Sequence, residues 1–101
     1  MQIDLNQPGA LTKQAVRDLI ASVTDEDHVQ LRVTKSGKAY ISTTDVAAKN
    51  IDDLAFRLET WAAAGGWVGP DAAKDDEWVE RIFNVIQENW PNPKFSYIDI
   101  Y

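Results

Sequence analysis

The chain has 101 residues, 45% of them hydrophobic and 26% charged, with a formal net charge of −6 and no cysteine. A chain of this length supports one domain around one modest core, and its recurring aromatic and branched aliphatic residues argue against disorder. Without cysteine there is no disulfide framework, thiolate nucleophile or cysteine-based zinc site; a single histidine excludes any site needing two; and 16 acids against 10 bases oppose a general basic nucleic-acid binder.

In chain order, Ile3 and Leu5 alternate with polar residues, which fits a short edge strand or a folded-back tail, until Pro8-Gly9 breaks the chain. A first helix is expected over about 12–23. Thr12 can cap it, Leu11 and Val16 have the spacing of a hydrophobic staple, and Ala15, Val16, Leu19, Ile20 and Val23 form one apolar face. A hairpin follows. Val29, Leu31 and Val33 alternate with His28, Gln30, Arg32 and Thr34, the period of a half-buried strand. Lys35-Ser36-Gly37-Lys38 makes the turn, and Ala39 to Thr43 the return strand.

From residue 50 the spacing predicts a second helix. Asn50 can cap it, Asp53 suits its first turn, and Ile51, Leu54, Leu58, Trp61 and Ala62 make a stripe that Gly65-Gly66 ends. After a tight Trp67-Val68-Gly69-Pro70 connector, a third helix starts between Asp71 and Asp75 and ends at Trp90, before Pro91. Its stripe is Trp78, Val79, Ile82, Phe83, Ile86 and Trp90. Lys94 to Tyr101 reads as a last strand, apolar on both faces. The order (β)-α-β-β-α-α-β predicts a single α+β domain over 1–101, an antiparallel sheet of three to four strands with helices packed mainly on one face.

Residues that carry chemistry elsewhere have simpler explanations here. His28 lies beside Asp25 and Asp27 and could serve as a general base, yet an exposed residue at a strand start accounts for it, and no nucleophile motif accompanies it. Asp25-Glu26-Asp27, Asp52-Asp53 and Asp75-Asp76-Glu77 are carboxylate clusters without the alternation of a calcium loop. Two of them fall in predicted first turns of helices, where the helix dipole favours acids. The glycine-rich 65–70 segment lacks the lysine and hydroxyl of a phosphate loop and follows a helix. Neither catalytic residues, nor a metal, nor a cofactor are expected.

Two features point toward partners. Arg32, Lys35 and Lys38, with Tyr40 nearby, give the hairpin a basic tip that would suit nucleic acid, although three cations are a weak footprint. Trp67 stands outside any helical stripe, Phe56 lies off the stripe of its predicted helix, and Tyr97 and Tyr101 share a face of the last strand; exposed aromatics of this kind anchor partners. The charge is also uneven. Residues 1–50 hold six acids and six bases, whereas 51–101 hold ten acids and four bases. The exposed side of the second and third helices is therefore expected to be negative, with Asp75, Asp76 and Glu77 its densest part.

These observations favour a small acidic, non-enzymatic interaction or regulatory module. It would bind a protein partner through the acidic helical face, with Trp67, Phe56, Tyr97 and Tyr101 as anchors. Self-association through an open sheet face or edge strand is a variant. The competing expectations are nucleic-acid binding at the hairpin tip, DNA mimicry by the acidic face, and a ligand pocket between the sheet and the later helices. Residues 1–11 lack the basic and apolar regions of a secretory signal, no apolar run reaches the roughly 18–20 residues of a membrane span, and no lipidation motif occurs, so the expected location is cytoplasmic, away from membranes.

Overall fold

The computed structural model describes residues 1–23, 29–42, 53–57 and 70–92, with Asp53, Phe56 and Arg57 described by their backbone alone. The architecture is the expected α+β class: among the described residues, four antiparallel strands with two α-helices. β1 (Gln2–Asp4) leads to α1 (Lys13–Ala21), then to the hairpin of β2 (Gln30–Thr34) and β3 (Lys38–Ser42), and then to β4 (Asp53–Arg57). A 3-10 turn, Pro70–Lys74, precedes α2 (Asp76–Glu88). The strand order is β1-β3-β2-β4, and every neighbouring pair is antiparallel. β1 and β2 therefore run in the same direction with β3 between them.

Local chemistry sets the helix ends. Thr12 is extended, and its hydroxyl accepts the Ala15 N–H at 3.0 Å, so α1 begins where the cap residue stands. Asp75 does the same for α2, accepting the Glu77 N–H at 3.0 Å. The C-terminal end of α2 is closed by Asn89, whose amide Nδ2 donates to the Val85 carbonyl at 2.7 Å and whose backbone N–H donates to Ile86 at 3.2 Å. The helix stops there, two residues short of Pro91.

The core lies on one face of the sheet. Register aligns Ile3, Ala39, Val33 and Leu54 in one row across all four strands, and Leu31 adds to that face. Val16, Leu19 and Ile20 of α1 and Trp78, Val79, Ile82 and Ile86 of α2 close over it, all buried. These are the stripes that helical periodicity assigns, so both helices turn toward the same apolar layer.

Two expectations need correction. The predicted helix from residue 50 is not formed at Asp53–Arg57, which is β4, paired with β2 from Thr34↔Asp53 to Gln30↔Arg57. Within this short run, Leu54 and Phe56 satisfy a period of two as well as Leu54 and Leu58 satisfy a helical one. The open edge of β2 decides between them, because pairing there satisfies a row of backbone donors and acceptors that local periodicity does not see. The rest of that predicted helix, 50–52 and 58 up to the Gly65-Gly66 stop, and the predicted last strand, Lys94 to Tyr101, lie outside the described residues.

β2 is also not half-buried. With β3 on one side and β4 on the other it is interior to the sheet, and Gln30 (1% exposed) and Arg32 (2%) are as buried as Leu31. Because successive side chains alternate, Gln30 and Arg32 occupy the face opposite the helices. The Arg32 guanidinium donates to Gln30 Oε1 at 3.2 Å.

The hairpin turn and the N-terminal segment hold each other. Gly37 adopts φ +95°, a left-handed conformation that favours glycine. Its carbonyl accepts the Leu5 N–H at 2.6 Å, and Asn6 Nδ2 donates to the Ser36 carbonyl at 2.7 Å. Asp4 and Lys38 face each other across β1 and β3, with Lys38 Nζ 3.1 Å from Asp4 Oδ2. The Lys38 hydrogen bond, followed by the Asn6 backbone N–H, holds the Asp4 carboxyl below the usual carboxylate range.

Candidate functional site: the outer face of the last helix

α2 buries Trp78, Val79, Ile82 and Ile86, and this leaves a continuous exposed arc of Asp76, Glu77, Glu80, Asn84, Gln87 and Glu88. The expected acidic cluster is at its N-terminal end, and each of its members has an internal role. Asp75 caps the helix. Asp76 forms an ion pair with Arg17 of α1, and the guanidinium holds its carboxyl below the usual range, by hydrogen bonding first and by charge second; Lys13 adds a smaller effect. Arg17 also donates to the Ala73 carbonyl at 3.0 Å. Glu77 lies 3.5 Å from Arg81, one turn along the helix.

The rest of the arc differs. Glu80 and Glu88 are exposed and have no ion-pair partner among the described residues. They are separated by two helical turns, about 12 Å. The last turn of α2 contains no base, so the Glu88 carboxylate adds to the negative end of the helix dipole. Glu80 and Glu88 therefore present uncompensated carboxylates on this face, while Asp76 and Glu77, equally exposed, have their charge partly offset by Arg17 and Arg81. The periodicity already contained this signal: Glu80, Asn84 and Glu88 recur every four residues opposite the Trp78-Ile82-Ile86 stripe.

The hairpin tip is less basic than its sequence suggests. Arg32 is buried in the sheet, so it is not part of an exposed basic tip. Lys38 is half-buried and paired with Asp4. Lys35 is the cation of the three that is exposed. Tyr40, set opposite Arg32 by the register, is half-buried.

The aromatic anchors are not brought to α2 by any described contact. Register places Phe56 opposite Leu31, on β4 and not on a helix. Trp67, Tyr97 and Tyr101 lie outside the described residues, as do His28 and the Asp25-Glu26-Asp27 cluster. Among the described residues, the large hydrophobic side chain standing out into solvent is Met1, 60% exposed.

An open cleft of about 160 Å³ lies between Val33, Thr34, Lys35 and Leu54 on the sheet side and Asn89, Trp90 and Pro91 beyond α2. Most of that space is open solvent; the cavity itself is about 10 Å³, room for little more than one water and far below the roughly 300 Å³ at which ligand pockets begin. The ionisable group that lines it, among the described residues, is Lys35. Among the described residues, no three histidine or acidic side chains are grouped to share a metal, and no helix is long and apolar enough to cross a membrane. No family model matches the chain, and no curated protein or solved structure matches it either.

Proposed function

We propose that this protein is a small, non-enzymatic interaction or regulatory module that binds a basic protein partner through the outer face of α2. One observation supports this reading above the others: Glu80 and Glu88 stand exposed on one helical face, without an ion-pair partner among the described residues, beside a helix end that carries no base. A rigid helix presents these charges at fixed spacing, which suits electrostatic steering and registration of a cationic surface. Asp76 and Glu77 extend the same field at lower strength, because Arg17 and Arg81 offset them. Trp67, Phe56, Tyr97 and Tyr101 are the proposed aromatic anchors that would add affinity to an encounter driven by charge. The cytoplasm is the proposed compartment, and self-association through a sheet edge is a subsidiary proposal.

Nucleic-acid binding through the hairpin has less support, since Arg32 is buried and Lys38 is engaged by Asp4. DNA mimicry would need a longer, denser row of negative charge than two unpaired glutamates.

Affinity capture with the wild-type chain, identification of the retained protein, and titration of that purified partner test the proposal. The expected partner is basic. Its affinity should fall at least about tenfold between roughly 50 and 300 mM salt, and by a similar factor with the double variant Glu80→Gln/Glu88→Gln at low salt. Trp67→Ala should weaken binding without changing its salt dependence. A partner that binds wild type and the double glutamine variant equally, or that is insensitive to salt, would overturn the assignment to α2.

A further inference from the structure

We draw no further inference here: the strongest candidate, the buried Gln30–Arg32 pair on the sheet face opposite the helices, where Gln30 Nε2 has no hydrogen-bond partner among the described residues, carries nothing because nothing in the structure shows what covers that face.

Discussion

Arg17 of α1 grips the junction between the 3-10 turn and α2 at two points, the carbonyl of Ala73 in the turn and the carboxylate of Asp76 in the helix. The first contact is partly buried and joins residues 56 positions apart in sequence. It fixes the 3-10 turn against α1 and so sets the direction in which α2 leaves.

Arg17→Met should therefore destabilise the fold by about 1–2 kcal/mol, the usual effect of losing a charge-assisted hydrogen bond to backbone. Asp76→Asn should cost distinctly less, because the exposed ion pair is screened by water. Urea denaturation midpoints of the two variants check this. Equal losses would mean that the ion pair, and not the carbonyl bond, holds the junction.

Acid should weaken the fold through Asp4 and Asp76. Both carboxyls are held below their ordinary range, Asp4 by Lys38 and Asp76 by Arg17. A carboxylate with a lowered folded pKa stabilises above its unfolded pKa, and that contribution disappears as the pH falls through the lower folded value. Stability should thus decline as the pH drops from about 4 toward 2. Asp4→Asn and Asp76→Asn should each flatten this decline, and together flatten it further. Urea midpoints across that range provide the measurement; an unchanged slope in the double variant would reject the assignment.

Gly37 and Gly9 should respond differently to alanine, although both have positive φ, +95° and +73°. A Cβ at Gly37 would run into the Asn6 side-chain amide, approaching its Cγ to 2.8 Å, whereas at Gly9 it meets nothing within 4 Å. Gly9→Ala should cost about 1 kcal/mol from backbone strain alone. Gly37→Ala should cost more, and Asn6→Ala in the same chain should recover part of the excess. Thermal or urea unfolding of the three variants decides it, and equal costs at the two glycines would show that the Asn6 contact yields freely.

Gln30→Glu tests the buried polar pair. Gln30 Nε2 is a buried donor without a hydrogen-bond partner among the described residues, while Oε1 accepts from Arg32. A glutamate of the same shape removes the orphan donor and places a carboxylate beside the guanidinium. The variant should be more stable at neutral pH by about 1 kcal/mol, the lower end of what an unsatisfied buried polar group costs. That gain should vanish in acid as the new carboxyl protonates. A less stable variant at neutral pH would mean that desolvating the second charge outweighs the relief.

The start of α1 and the hairpin were legible because their causes are local, and the bounds of α2, Asp76–Glu88, fall close to the expected start between Asp71 and Asp75 and end at Trp90. Thr12 and Asp75 act on backbone N–H groups two or three residues away, and Gly37 acts on its own turn. Asp53–Arg57 was not legible as a strand, since five residues with apolar side chains at 54 and 56 fit two periods equally well. Nor was the burial of Gln30 and Arg32 visible, because alternation of polar and apolar residues normally marks a strand with one wet face. Within the candidate site, the Asp75-Asp76-Glu77 cluster was legible as a run of acids at a helix start, but its contacts with the Glu77 N–H, Arg17 and Arg81 were not, nor was the exposure of Glu80 and Glu88 without an ion-pair partner among the described residues.

The sequence by itself determined the α+β class, the β2–β3 hairpin, the Thr12 cap of α1, the apolar stripe of α2 and the concentration of acids in the second half. Those features follow from periodicity, capping and composition, which operate over a few residues. Only the tertiary structure decided that β2 is interior to the sheet, that Asp53–Arg57 pairs with it, and which acids remain outward. These depend on partners far apart in the chain, such as Arg17 with Asp76 and Gln30 with Arg57. A strand edge or a guanidinium selects its partner only after the core brings the two within reach.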